Sequence, residues 1–559
     1  MKTKIYSILI AVIAVFGLTN CQEDYLEKFP LDQPSEATFW STQTELELSV
    51  NAMYTSLYFT DRDATHVPYQ FLLDLATDIT WDRNLSSWRL ISQGLITPND
   101  ADVIGKTWDN AYKTIGQANR HLANMSRAQE VTDPEVYERL AAEARFFRAY
   151  WYHYLTQLYG DVPLVTQPID IFDAELPKSD KSEIHQFIVD ELQEIADILP
   201  ESYPSAENGR ITSGAALALL AREALFNGDY DLTIAATSEI MSSGEYTLYP
   251  DYSTLFTYAA EQNSEEILTI HFSRSNQLTH ETPVHVRGRL GGGFATKIPT
   301  QALIDSYACV DGLRIDESPL YDATDPFNNR DPRMQATCVL PGSIFLGYLF
   351  ETHPDSVTTW DYNTDPPRLV ANLESTHPYA TFSGYQYRKY VNDEEHQFRR
   401  ECELNIMLIR YAEVVLMYAE AKIEKGELDA TVYEAIDEVR DRAGIPGLTT
   451  GLSQSELRDA VRQERKVEFA FEGLRFFDIR RWGIAEDVMP GTLYGRPKGD
   501  YEASYIPVFD ENGTPHYDAY GDQLRQFDER SFDPTKDYLW PIPQKELDIN
   551  ANLRQNNKY

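Results

Sequence analysis

Hydrophobic residues recur at steps of four and three along Leu140, Ala144, Phe147, Trp151, Tyr154 and Leu158. That spacing lines one face of a helix. Gly160 ends it, and the Asp161-Val162-Pro163 turn follows with a proline that cannot continue it. The same periodicity predicts helices over 45–57, 107–125 and 182–199, the last capped by Ser182 and stopped before Pro200. Residues 213–226 are rich in Ala and Leu; Gly228-Asp229-Tyr230 turns the chain, and 232–241 form a second helix. This pair has about the 34-residue length of one tetratricopeptide unit. Small residues at Ala218, Ala221 and Ala224 would let the two helices approach closely.

A second block repeats the design. Ile409, Ala412, Leu416, Ala419 and Ile423 line a helix that ends at Gly426, with partners over 430–440 and 455–471, the latter stopped by Gly473. Between the blocks periodicity fails, and Pro, Gly, Asn and Asp are scattered; apolar runs such as 267–272 read as short strands. The predicted fold class is mainly α. Paired antiparallel helices form a tetratricopeptide-like superhelix. Its helical blocks are 41–260 and 405–483, with a loop-rich insert over 264–401 and a loop-rich tail over 490–559. Residues 21–559 are expected to form one continuous domain.

Charge narrows the function. Lys and Arg number 49 against 88 Asp and Glu among 559 residues, a net charge of −39. So acidic a chain will not track nucleic-acid phosphates or adhere to an anionic lipid surface. Lys2 and Lys4 precede an apolar stretch from Ile5 to Leu18, shorter than the roughly 20 residues of a spanning helix. It reads as a secretion signal over 1–20. Leu18-Thr19-Asn20-Cys21 resembles a bacterial lipobox, with Asn20 where Gly or Ala is usual, so Cys21 is the expected lipidation site. Gln22-Glu23-Asp24 resembles the surface-export signal of Bacteroidetes lipoproteins. Removing the leader takes two lysines with it, and the mature chain carries −41.

Catalytic and metal chemistry find little support. Cys309, Cys338 and Cys402 show no CxxC or Cys/His ligand spacing, so no zinc site is expected. A Cys309–Cys338 disulfide stays open beside the favoured reading of buried free thiols. The histidines form no HExxH, and His280 and His285 read as surface loop residues. There is no GxSxG, and Gly291-Gly292-Gly293 lacks the GK[ST] of a phosphate loop. No catalytic residue, metal or cofactor is expected.

Several segments together resemble the SusD/RagB family of outer-membrane nutrient-binding lipoproteins. They are Glu143-Ala144-Arg145-Phe146-Phe147-Arg148-Ala149, Tyr159-Gly160-Asp161-Val162-Pro163-Leu164-Val165, Asn329-Arg330-Asp331-Pro332-Arg333 and Arg410-Tyr411-Ala412-Glu413 running to Ala421. Glu464-Arg465-Lys466-Val467-Glu468 running to Gly483 follows, and Trp540-Pro541-Ile542-Pro543 closes the series with Asn552-Leu553-Arg554-Gln555-Asn556. The resemblance implies a surface lipoprotein held in the outer membrane through Cys21. It would capture oligosaccharides and pass them to a SusC-like TonB-dependent transporter, with ligand held by the loop-rich region and no catalysis. A peptide ligand, known in some members, is the alternative, and a surface glycoside hydrolase a third reading.

Glu464, Glu468 and Glu472 share a helix face, as paired glycosidase carboxylates would. An ion-pair lattice with Arg465, Arg475, Arg480 and Arg481 is the favoured reading. Glu143, Arg145 and Arg148 read as polar groups of helix packing.

A sugar ring offers an apolar C–H face and a rim of hydroxyls, so its complement is an exposed aromatic plane flanked by polar side chains. Two clusters meet that description. Trp81, Asp82, Arg83 and Asn84 precede Trp88 between helical stretches. Trp360, Asp361, Tyr362 and Asn363 lie in the insert, flanked by Tyr348 and Arg368. The loop 276–289 is a third candidate. The negative surface favours a neutral oligosaccharide unless Arg287/Arg289 or Arg399/Arg400 make the site locally basic.

Overall fold

Side-chain caps set where the helices begin. Thr42 opens α1 (Gln43–Tyr54) with a capping box in which its hydroxyl accepts the Glu45 N–H while the Glu45 carboxylate accepts the Thr42 N–H. The α2 helix is Val103–Asn124. Asp133 caps α3 (Pro134–Tyr159), whose first residue is proline and which stops at Gly160. The next helix, α4 (Lys181–Ala196), starts from Asp180, not from the predicted Ser182. Thr212 caps α5 (Ser213–Phe226) and Asp229 caps α6 (Tyr230–Ser243). In the second block α7 (Tyr411–Lys425) and α8 (Ala430–Ala443) end on the left-handed glycines Gly426 and Gly444. Ser453 opens α9 (Gln454–Glu468) with a second capping box, and α10 is Leu474–Arg481. These coordinates are a computed structural model that describes residues 39–59 and 66–559; the leader and Cys21 lie outside the described residues.

Helices α2 to α6 pack each on the next, and α6 then packs on α7, which carries α8 and α9. The stack therefore runs straight across the break between the two blocks. The strands are short: β1 (Thr80–Asp82), β2 (Glu266–Ile270), β3 (Lys297–Pro299), β4 (Ile344–Phe345), β5 (Tyr348–Leu349), β6 (Thr358–Asp361), β7 (Arg368–Ala371), β8 (Ile406–Arg410), β9 (Gly491–Pro497) and β10 (Leu524–Arg530). The chain leaves the stack through β2 and returns through β8, and these two pair antiparallel with Ile406 opposite Ile270. Ile409, predicted on the α7 helix face, belongs instead to β8, opposite Leu268. Arg410 is still extended, so α7 starts only at Tyr411.

The insert is less irregular than its composition suggests. It holds an antiparallel sheet in the order β4-β5-β6-β7, and its Tyr307, Met334, Tyr385, Tyr387 and Tyr390 join the same hydrophobic core as the helices. In the tail, β9 and β10 form an antiparallel ladder. Among the described residues no helix is long and apolar enough to cross a membrane. The three cysteines Cys309, Cys338 and Cys402 are free and buried.

Glu464, Glu468 and Glu472 do belong to an ion-pair lattice, but most of its cations come from other elements. Arg333 meets Glu464 at 2.5 Å and Glu468 at 2.9 Å. Arg410 meets Glu265 at 2.6 Å, Glu468 at 2.7 Å and Glu472 at 2.8 Å. Arg442 also pairs with Glu468, and Lys389 reaches Glu472 at 2.5 Å. Burial alone would raise the Glu468 pKa; the charges of Arg442, Arg410 and Arg333 outweigh it and lower it. The expected partners are engaged elsewhere. Arg465 and Arg481 hold Asp478, Arg475 holds Asp78, and Arg480 lies over the Phe476 ring. Glu143 pairs with Arg139 and Arg210, while Arg145 and Arg148 converge on Glu191.

Candidate functional site

The two sequence-predicted clusters part company in the structure. In β1 all three residues are buried, because β1 pairs with β3 and packs beneath the tail. Trp81 is 1% exposed. It sits among Ala295, Ile298 and Leu493, packs on Phe527 and Phe382, and donates its indole N–H to Asp528 at 2.6 Å. Trp88 is likewise 1% exposed, wedged edge-on between Tyr69 and Trp540. Neither ring offers a face to a ligand, which corrects the expectation for both. Asp82 is also buried: its carboxylate meets Lys297 at 3.2 Å and accepts from the Ser86 hydroxyl at 2.7 Å and the Asn84 N–H at 3.0 Å. Asn84 is half-buried and closes that turn. Arg83 is likewise part-buried, and its Nη1 donates to the Tyr379 carbonyl at 2.7 Å.

The second cluster is a surface. Along β6 burial alternates, with Thr359 and Asp361 facing inward and Thr358 and Trp360 outward. Trp360 is 41% exposed and Tyr362 43%, and their rings lie 6.5 Å apart between centroids with planes only 27° from parallel. Leu369 of β7 is opposite Trp360 and also exposed. The polar neighbours hold this platform in place. Asp361 accepts the Asn363 N–H at 3.0 Å and pairs with Arg368, its cross-strand partner, at 3.2 Å. Asn363 donates its amide to the Leu346 carbonyl at 3.0 Å, and the Tyr362 N–H reaches the Gly347 carbonyl at 2.8 Å. Arg368 remains largely exposed, so its guanidinium can serve a ligand as well as Asp361. Asp361 itself is buried and committed to the turn.

The third candidate loop is a folded support. Thr282–Val286 forms one helical turn, and His280 and His285, expected at the surface, are buried. His280 lies 3.1 Å from the Leu404 carbonyl, and burial lowers its pKa to about 4. At its end stand Arg289 and, nearby, His377 and Tyr379, none of which the sequence picked out as one site. Arg289 approaches His377 Nε2 at 3.3 Å, and Arg83 lies over the Tyr379 ring at 5.4 Å. Their meeting depends on chain separations that no local pattern reports. Among the described residues no group of His, Cys, Asp and Glu could hold a metal ion.

Comparison with known proteins places this architecture. The model of the SusD family matches residues 259–559, and a second model, described as starch-binding associating with outer membrane, matches 24–225. The chain is 25% identical to SusD-like protein P2 of Formosa agariphila, over 98% of each chain. It is 25% identical to the starch-binding protein SusD of Bacteroides thetaiotaomicron, over 70% of this chain and 74% of that one. A SusD-like carbohydrate-binding protein from Bacteroides fragilis, 30% identical, superposes with a TM-score of 0.80 over 92% of this chain and all of its own. With helix stack, insert and tail all accounted for by these matches, the chain belongs to the SusD family.

Proposed function

We propose that this chain is a cell-surface lipoprotein that binds glycan and hands it to a SusC-like TonB-dependent transporter in the outer membrane. The observation that carries the reading is the outward pair Trp360 and Tyr362, near-parallel rings on a small rigid sheet with Arg368 at their edge. Sugar rings stack on such planes, and a polar rim fixes their hydroxyls. Relatives whose names carry starch or carbohydrate binding support a glycan over a peptide. The overall charge of −39 argues for a largely neutral glycan backbone at this platform. Anchoring would run through acylated Cys21, with one lipid tethering an otherwise water-facing body. The chain acts by binding, with no bond-breaking step assigned to it.

The test is a glycan array with the mature protein, followed by titration of the best ligand against Trp360→Ala and Tyr362→Ala. Loss of one stacking ring should weaken binding by about tenfold. Full affinity in both variants, or binding of peptides and no glycan, would remove the platform from the reading.

A further inference from the structure

Charge is not spread evenly over this acidic chain. Many arginines of the interior sit on carboxylates, as Arg222 does on Glu413 and Arg481 on Glu420, while the buried Arg287, Arg330 and Arg530 are held by backbone carbonyls. Arg83 and Arg289 belong with the second group, since among the described residues neither forms an ion pair and carbonyls anchor both, but they are only part-buried and so stand where a ligand can meet them. Arg83 Nη1 donates to the Tyr379 carbonyl at 2.7 Å and lies 3.5 Å from that of Ala295. Arg289 Nη1 donates to the Gly293 carbonyl at 3.3 Å, while its Nη2 faces His377 Nε2.

The nearby carboxyls are already engaged. Asp82 faces the buried Lys297. Glu374, beneath Arg289, accepts the Leu290 N–H at 2.8 Å and the Gln386 amide at 3.0 Å. Burial raises the Glu374 pKa to about 7, so near neutrality its negative charge is only partly developed. The two guanidiniums feel one another: burial and then the Arg289 charge lower the Arg83 pKa. Tyr379 is 59% exposed with Arg83 over its ring at 5.4 Å and the His377 ring 6.0 Å away. An exposed aromatic ring thus stands beside two cations that, among the described residues, no ion pair engages.

We propose that Arg83, Arg289 and Tyr379 form a subsite for an anionic sugar, whose carboxylate or sulfate bridges the two guanidiniums while its ring lies against Tyr379. Guanidiniums bind such oxyanions through paired, charge-assisted hydrogen bonds. This rests on the reading of the chain as a glycan-binding protein and names a substrate class for it: a polysaccharide with acidic substituents, in addition to the neutral units suited to the Trp360 platform.

The experiment measures binding of the mature chain to polygalacturonate, a sulfated carrageenan and neutral laminarin by affinity electrophoresis and calorimetry. Wild-type protein should bind at least one acidic polymer; which of the two it prefers separates carboxylate from sulfate. Arg83→Gln/Arg289→Gln should weaken that binding by about tenfold or more. Tyr379→Ala, a change at an exposed residue that leaves the fold alone, should weaken it too. Raising salt from about 0.05 M to about 0.5 M should weaken the acidic ligand and spare a neutral one. Binding of laminarin with neither acidic polymer overturns the subsite and leaves the glycan reading standing. Acidic-polymer binding that survives both variants overturns the assignment of residues. Binding of no glycan overturns both readings together.

Discussion

Glu468→Gln tests the buried lattice most directly. Five cations, Arg333, Lys389, Arg410, Arg440 and Arg442, interlock with five carboxylates, Glu265, Asp331, Glu464, Glu468 and Glu472, so the buried group is electrically neutral. Glu468 stands at its centre, in contact with Arg333, Arg410 and Arg442. Glutamine keeps the shape and removes one negative charge, leaving an uncompensated cation away from water. Breaking a buried pair in this way costs about 3–5 kcal/mol, a large part of the roughly 5–15 kcal/mol that holds a folded protein. In urea, with a slope near 3 kcal/mol/M, the midpoint should fall by about 1 M or more. Adding Arg442→Met restores four charges of each sign. The double variant should therefore lose less than the sum of the singles, by about 1–3 kcal/mol. A Glu468→Gln unfolding free energy within about 1 kcal/mol of the parent, or strict additivity in the double, would refute the neutral-lattice argument.

Two further outcomes follow from burial. Trp81→Ala should destabilise the protein by about 3–5 kcal/mol in urea unfolding, because it empties the space against Phe382 and Phe527 and removes one of the donors to Asp528, while the folded fraction keeps its glycan affinity. A folded Trp81→Ala protein that no longer binds would return this ring to the ligand site. Glu374 supplies a pH test. Its folded pKa of about 7 lies above the ordinary 4.5, so its contribution is full below about pH 4.5 and is lost as pH rises towards 7. Relative to Glu374→Gln, the parent should lose about 2 kcal/mol between pH 5 and pH 7.5, and parallel pH curves for the two proteins would contradict the burial argument.

Helix spacing was legible in the sequence because it is a local property. Residues 213–226 were delimited by composition and turn signals, and α5 has the same bounds. The proposed platform was half legible: Trp360 and Tyr362 stood out by chemistry, yet the strand alternation that turns Trp360 outward was hidden in a proline-punctuated stretch. Trp81 misled for the opposite reason. Its polar neighbours suggested an open loop, but Asp82 is spent on Lys297, and the indole N–H on Asp528, 447 residues away. The lattice shows the same limit, since Arg333 and Arg410 reach α9 from distant parts of the chain. Charge count signalled that the glutamates need cations; only the fold decides which cations arrive.

The pairing of β2 with β8 works as a neck. It brings together the two ends of everything between residues 271 and 405, and Arg410 at its exit is clamped to Glu265 at its entrance. Closing a loop grows costlier only slowly with length, by about 0.6 kcal/mol for each doubling. The neck therefore gives the insert one fixed pair of end points on the helix stack. Between them Tyr307, Met334 and Tyr385 are sunk in the helices' own core, and Arg333 and Lys389 are paired with glutamates of the second helical block. Changes of length are thus cheapest in the parts of the insert that face outward, such as the β6–β7 connection beyond Trp360, and costly wherever the insert supplies a core ring or a lattice cation.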